Sequence, residues 1–340
     1  MPLSVQEFLH QAQTLPILDV RSPGEFGHAH VPGAVNMPLF DNDERAQIGT
    51  TYKRVGKDAA VLRGLDMVGP KMAGFVRTAQ ALNPSGKRVL VHCWRGGMRS
   101  GSVAWLLNTA GLRAETLDGG YKAYRNVVLT DLAEPRQLLI LGGKTGSGKT
   151  DVLNHLAALG EQVIDLEGLA HHKGSSYGAI GQPPQPSTEQ FENLIHHHWR
   201  QLDPARRIWI EDESRNVGSC FVPMPLWQQM QAAPVVVLDV PKAVRIERLV
   251  REYAGINHEL LVEATERIRK RLGGQATKDA LTALDRQEYA AVADLTLGYY
   301  DKAYSHSLSG REAGHTLPVE ADDPAQTATQ LIAWADGRSA

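Results

Sequence analysis

Two stretches of this chain combine residue types whose spacing suits chemistry on anions. The first is His92-Cys93-Trp94-Arg95-Gly96-Gly97-Met98-Arg99-Ser100, directly after the strand-like run Arg88-Val89-Leu90-Val91. A cysteine at a strand's end, followed by two glycines, sits where the backbone can curl and aim successive N–H groups at one atom. Arg95 and Arg99 add positive charge, and the helix expected from Ser100 to Leu107 points its N-terminal dipole back at the same spot. Each feature favours a thiolate, so Cys93 is a candidate nucleophile with Arg95 and Arg99 as its catalytic partners. A small buried core residue is the plainer alternative, but a core position would need neither the arginines nor the glycines.

The second stretch is Gly143-Lys144-Thr145-Gly146-Ser147-Gly148-Lys149-Thr150, after the apolar run Leu138-Leu139-Ile140-Leu141. It fits G-x-x-x-x-G-K-[ST] in the required strand-to-helix setting. Backbone N–H groups there cradle a diphosphate, Lys149 adds a point charge, and the Thr150 hydroxyl is available to a magnesium ion. Ile208-Trp209-Ile210-Glu211-Asp212-Glu213 ends a further apolar strand in carboxylates, which makes Asp212 the candidate partner of that ion.

The elements that must hold these loops follow from local signals. Ser4 and Glu7 form a capping box for a helix running to about Gln13, and a strand follows at Pro16 to Val20. Ser22, Pro23 and Glu25 start a short helix, and Pro32-Gly33 turns the chain before another extended piece. Helices are expected at Asp43 to Arg54 and Pro70 to Leu82, a strand at Ala114 to Leu117, and a helix from Gly119-Gly120 through Val128. Beyond the second loop, strands are expected at Gln162 to Asp165, Arg207 to Glu211 and Pro234 to Val240, with a helix at Thr188 to Leu202. Strands alternating with helices predict an α/β fold with mostly parallel sheets.

A chain of 340 residues is too long for one ordinary core, so two domains are expected. They are read as residues 1–130, a linker at 131–137, and 138–320 with basic helices, followed by a terminal helix and tail at 321–340. The net charge of −2 argues against a uniformly basic nucleic-acid protein but allows a local basic face. Arg245, Arg248 and Arg251, spaced by three, and Arg267, Arg269, Lys270 and Arg271 form the densest cationic run outside the Cys93 loop. They are candidate contacts to RNA phosphates; a solvated face offset by Glu247, Glu252, Glu263 and Glu266 is the alternative. His196-His197-His198 reads as a polar helix surface or an RNA contact, because adjacent helical residues point different ways. Two cysteines without a pairing pattern suggest a reducing, cytoplasmic setting. No signal segment and no run of ~20 apolar residues is evident, so no membrane is expected.

Asp19-Val20-Arg21-Ser22-Pro23-Gly24-Glu25-Phe26, His30-Val31-Pro32-Gly33-Ala34-Val35-Asn36-Met37-Pro38, the Cys93 loop and Leu117-Asp118-Gly119-Gly120 together resemble a rhodanese domain. Five residues separate Cys93 from Arg99, more than in many rhodanese-like sulfurtransferases, and this spacing also fits the HCx5R[ST] pattern of cysteine-dependent phosphatases. A phosphatase would need an acid for the leaving oxygen, which the sequence does not assign. The longer loop would also admit a donor that carries a phosphate.

With the P-loop, Gly168-Leu169-Ala170-His171-His172-Lys173-Gly174-Ser175 and Glu211-Asp212-Glu213-Ser214-Arg215, the whole chain resembles the tRNA 2-selenouridine synthase family. The resemblance implies a rhodanese-like domain followed by a P-loop NTPase-like domain with a helical C-terminal part. It also implies a transferase that exchanges sulfur for selenium in wobble 2-thiouridine of tRNA, with selenophosphate as donor. Geranyl diphosphate would first alkylate the thiocarbonyl sulfur, and selenium carried on Cys93 would then attack the base. An enzyme that makes selenophosphate is a candidate partner.

By motif alone the P-loop would take ATP or GTP. A persulfide sulfurtransferase using only the first domain, and an NTP-dependent kinase or ATPase using only the second, are the competing readings. Trp199, Trp209, Phe221 and Trp227 are candidate contacts for the geranyl chain, with core packing the alternative.

Overall fold

The computed structural model describes residues 2–84, 86–308 and 313–337. The chain divides into two compact units, Met1–Asp131 with Glu192–His197, and Leu132–Phe191 with His198–Ala340.

In the first unit, α1 (Val5–Gln11) precedes β1 (Ile17–Asp19), α2 (Pro23–His28) and β2 (Ala34–Asn36). Helices α3 (Asn42–Arg54), α4 (Lys57–Val68) and α5 (Met72–Leu82) lead to β3 (Arg88–His92), α6 (Met98–Thr109), β4 (Arg113–Thr116) and α7 (Gly120–Asp131). The strands order β2-β1-β3-β4, and every pairing is parallel. Both faces of such a sheet are covered, so the middle of inner strand β3 is apolar: Val89, Leu90 and Val91 are fully buried. The capping boxes read at Ser4 and Ser22 form, each with its glutamate bonded back to the cap N–H.

The chain continues with β5 (Leu138–Gly143), α8 (Lys149–Ala158), β6 (Gln162–Ile164), α9 (Leu166–Ala170), α10 (Thr188–Trp199), whose Glu192–His197 belong to the first unit, and β7 (Ile208–Glu211). A short antiparallel pair, β8 (Asn216–Val217) and β9 (Cys220–Phe221), precedes α11 (Met224–Ala232) and β10 (Val235–Asp239). Then come α12 (Lys242–Tyr253), α13 (His258–Arg267), α14 (Arg269–Leu272), α15 (Gly274–Asp285), α16 (Tyr289–Leu308), β11 (Ala313–Pro318) and α17 (Pro324–Asp336). The five-stranded sheet orders β11-β10-β5-β7-β6, again all parallel.

Strand β11 was not expected from sequence. Its Gly314 and Pro318 disfavour a strand, and it is held as an edge beside the apolar β10. One apolar core joins α8, β10 and α17 through Val152, Leu156, Val236, Leu238, Ala328 and Leu331. A second, of Tyr177, Leu249, Tyr253, Leu261, Leu284 and Leu297, lies among the helices that follow β10. Among the described residues no helix is long and apolar enough to cross a membrane.

Candidate active sites

Cys93 follows β3 directly, and its sulfur is buried at 3% exposure. The loop after it is shaped by backbone packed on backbone. Gly96 has φ +64°, and a Cβ there would lie 2.5 Å from Leu117 O and 2.8 Å from Gly119 N. Gly120, at φ +61°, faces it from the other side: a Cβ there would overlap Gly96 N and lie 2.5 Å from Cys93 O. Tyr121 N donates to Cys93 O at 2.8 Å and Lys122 N to Trp94 O at 2.9 Å, so the start of α7 grips the loop. Gly97, by contrast, has open space around its Cα, so the curl depends on Gly96 and not on both glycines.

Burial of the sulfur opposes ionisation, yet the Cys93 thiol is held below its ordinary pKa. The Ser100 hydroxyl, 3.3 Å from Sγ, the N–H groups of Ser100 and Arg95, and the charge of Arg99 outweigh the burial. Arg95 thus contributes its backbone, while its side chain is exposed. Arg99 Nη1 also donates to Glu25 Oε2 at 2.9 Å, and Arg45 Nε lies 3.8 Å from the same oxygen. Burial raises the Glu25 carboxyl, but Arg99 and the Ser22 N–H bring it below the usual carboxylate range. Sequence reasoning assigned Glu25 only a capping role, and its second role on Arg99 leaves no local pattern.

Beneath the loop, Arg21 is 1% exposed and bonds Asp19 and, at 2.7 Å, Ala29 O, with its guanidinium 3.9 Å from the centre of the Tyr121 ring. Buried His92 lies 3.6 Å from Asp19, and burial depresses its pKa despite that carboxylate, so it is neutral at pH 7. The Asp19 to Phe26 stretch therefore braces the site from inside.

The second site begins where β5 ends. Gly146 and Gly148 take φ +80° and +78°, and Ser147 N donates to Lys144 O at 3.0 Å. Lys149 Nζ reaches back to Gly143 O at 3.0 Å, which sets its ammonium over the loop. Tyr304 OH accepts from Gly143 N at 2.7 Å and donates to Asp212 Oδ2 at 3.4 Å. A cavity of about 790 Å³ opens from this loop and is bordered by Lys149, Thr150, Asp212, Glu213 and Arg248.

Thr150 Oγ1 donates to Glu167 Oε2 at 3.1 Å, and Glu167 N donates to Glu211 Oε1 at 2.6 Å. Burial and the neighbouring Asp165 and Glu167 charges push the Glu211 carboxyl far above its ordinary range. Glu213 is pushed up to about 8, chiefly by burial and the Glu167 charge, with Lys149 pulling the other way. Among the described residues no three acidic, histidine or cysteine side chains form a set that could hold a metal ion. Thr150 and Asp212, the residues expected to meet a magnesium ion, both border the P-loop cavity.

The basic run separates into two groups. Arg245 is 2% exposed and bonds Asp301 twice, at 2.8 and 2.9 Å, and Thr145 O at 3.2 Å. It is thus a buried brace of the P-loop and corrects the expectation of an RNA contact there. Arg248 pairs with Asp151 and Asp322, and its guanidinium stands against Gly148, where a Cβ would meet Nη1 at 2.9 Å. Being 12% exposed, it too belongs to the loop. Arg251 shares Asp322 but is exposed. Arg267 and Arg269 are exposed and pair with Glu263 and Glu266 on their own helical stretch, and Lys270 and Arg271 are exposed as well.

His196 is fully buried and 2.9 Å from Asp131, which corrects the polar-surface reading for that residue. Trp199 and Trp209 are buried core residues, Phe221 is exposed, and Trp227 borders the P-loop cavity.

Comparisons with known proteins agree along the chain. The model of a rhodanese-like domain matches residues 2–127, and that of a tRNA 2-selenouridine synthase AAA domain matches 136–331. The tRNA 2-selenouridine synthase of Pseudomonas syringae pv. tomato is 36% identical over 88% of this chain and 90% of its own length. That of Bordetella bronchiseptica is 35% identical over 88% and 89%. That of Serratia proteamaculans is 41% identical over 71% of this chain and 65% of its own.

Proposed function

The chain belongs to the tRNA 2-selenouridine synthase family, and from that membership we propose that it is a transferase that converts wobble 2-thiouridine of tRNA into 2-selenouridine. The work is divided between the two units. In the second, the P-loop holds geranyl diphosphate. The thiocarbonyl sulfur attacks C1 of the geranyl group, a C–S bond forms, the C–O bond to diphosphate breaks, and the N3 proton leaves the base. Lys149 and the loop N–H groups take up the charge that develops on the departing diphosphate.

In the first unit, the Cys93 thiolate exchanges with a small disulfide, and selenide set free from selenophosphate by water, with phosphate leaving, displaces the small thiol and forms the S–Se bond. The terminal selenium attacks C2, expelling geranylthiol, and two small thiols then cleave S–Se, freeing the base and Cys93 and returning the disulfide consumed at loading. Two unpaired cysteines suit the reducing cytoplasm in which such thiols abound.

One observation carries this reading: Cys93 is buried yet its thiol is lowered, by N–H groups, the Ser100 hydroxyl and Arg99 aimed at one sulfur. The phosphatase alternative is disfavoured by the ionised state of Glu25, since the carboxylate beside Arg99 has no proton for a leaving oxygen. The test is incubation of the purified chain with thiolated tRNA, selenophosphate and geranyl diphosphate, followed by nucleoside mass analysis. S-geranylated and selenated nucleosides are expected in succession; neither product, with tRNA bound, would sink the proposal.

A further inference from the structure

The cavity at the P-loop is far larger than a diphosphate requires, and its lining joins the phosphate-binding loop to the edge of an apolar core. At about 790 Å³ it falls in the range that holds a small organic ligand. The loop offers backbone N–H groups and Lys149, while Arg248 on the same cavity is held by Asp151 and Asp322. The cavity is also bordered by six residues of the second apolar core, Tyr177, Ile180, Leu249, Tyr253, Ile256 and Tyr300, of which Leu249 lies against Gly146 of the loop. The tyrosine hydroxyls are already engaged. Tyr177 OH pairs with Thr265 Oγ1 at 2.8 Å, and Tyr300 OH accepts from Ser176 N at 3.1 Å. The Tyr177 and Tyr253 rings lie 5.2 Å apart and brace each other. Lys173 and Glu252, also on the cavity, are 4.0 Å apart and neutralise one another.

Such a site is matched to an amphiphile with a doubly anionic head and a hydrocarbon tail. We propose that the ten-carbon chain of geranyl diphosphate lies along the wall formed by Tyr177, Ile180, Leu249, Tyr253, Ile256 and Tyr300, with its diphosphate on the P-loop. This rests on the reading of the P-loop as a prenyl diphosphate site and adds where the chain lies and what measures its length. Ile180 and Ile256 are the residues to vary, because both are only half-buried and pack on the core from outside.

The experiment is a set of binding titrations of the full chain with inorganic pyrophosphate and with dimethylallyl, geranyl and farnesyl diphosphates. For the parent, geranyl diphosphate is expected to bind more tightly than pyrophosphate and dimethylallyl diphosphate. Ile256→Trp and Ile180→Trp are expected to weaken geranyl diphosphate by about tenfold or more and leave pyrophosphate unchanged. Ile256→Ala should shift preference towards farnesyl diphosphate.

A parent that binds pyrophosphate and geranyl diphosphate equally would overturn the prenyl reading of the loop, and this inference with it. A parent that prefers geranyl diphosphate, with variants indistinguishable from it, would overturn the wall alone. Should the variants lose pyrophosphate binding through misfolding, the parent itself decides. Irradiated with a geranyl diphosphate analogue bearing a diazirine at its tail, it should be labelled in peptides containing 177–180, 249–256 or 300, and label elsewhere refutes the placement.

Discussion

The Cys93 loop and the P-loop are both glycine-rich turns between a parallel strand and a helix, and both gather N–H groups around an anion, yet they are held in opposite ways. Around Cys93 the support is backbone on backbone, with Gly96 against Leu117, Gly119 and Gly120, and α7 bonded to the carbonyls of Cys93 and Trp94. At the P-loop the support is side chains from far along the chain. Tyr304 reaches Gly143 across 161 residues, and Arg245 reaches Thr145 across 100. At Gly96 and Gly120 the first arrangement has no room for a side chain. The second can be dismantled one contact at a time.

Substitutions that separate the two loops test this contrast. Cys93→Ser should abolish selenation while geranylation persists, because a serine hydroxyl is not ionised at neutral pH; normal selenouridine output from the serine variant would end the carrier role. Alkylation by iodoacetamide should show the same asymmetry without tRNA. The Cys93 thiolate is present above a lowered pKa, so its labelling should level off below the pH typical of free thiols, whereas burial pushes Cys220 up to about 11 and it should stay unlabelled at pH 8.

Lys149→Ala should slow geranylation by about 10²–10³-fold, roughly 2.7–4 kcal/mol, and leave conversion of ready-made geranylated tRNA intact. Equal loss in both half-reactions would mean that the lysine only shapes the loop. Gly120→Ala should lower the stability of the chain by roughly 1–3 kcal/mol in denaturant titration and impair selenation, since its Cβ has no space and its φ is left-handed. Gly97→Ala, with open space and φ −102°, should do neither. Equal tolerance at both positions would break the backbone-packing account.

The smallest effect expected is on RNA. Replacing exposed Arg269 and Arg271 together should flatten the slope of log affinity against log salt by about 1 to 2 and leave geranyl diphosphate binding alone. An unchanged slope would make them a solvated face.

How far the sequence could be read follows the same division. The Cys93 loop was legible because its determinants are contiguous or carry a local signature: the strand, the glycines, Ser100 and the Gly119-Gly120 turn. The P-loop's own residues were equally plain, but its braces were not. Arg245 and Arg248 share the spacing and charge of a surface helix, and only the approach of Asp301, Asp151 and Asp322 makes them internal. Burial decided their meaning, and no charge pattern within one helix reports what packs against it. The upward push on the Glu213 carboxyl was hidden for the same reason: it comes from burial and from the Glu167 charge, which a different βα unit delivers. Strand β11 was missed because edge strands are set by their neighbour more than by their own residues.

The position of β11 and α17 also bears on how the protein is made. The first unit's sheet, β1 to β4, has all its strands by residue 116, and α7 ends at Asp131. The second unit's sheet takes its outer strand from 313–318, and the P-loop helix α8 packs through Val152 and Leu156 on Ala328 and Leu331. The first unit also takes in Glu192–His197, and at about 5–20 residues per second a ribosome needs roughly 7–30 s to pass from there to residue 340. Within that interval the Cys93 loop can already be formed, while β10, once made, has an unpaired edge and α8 an uncovered apolar face. A nascent chain stalled before residue 313 should thus show a reactive, low-pKa thiol and a P-loop region open to proteolysis.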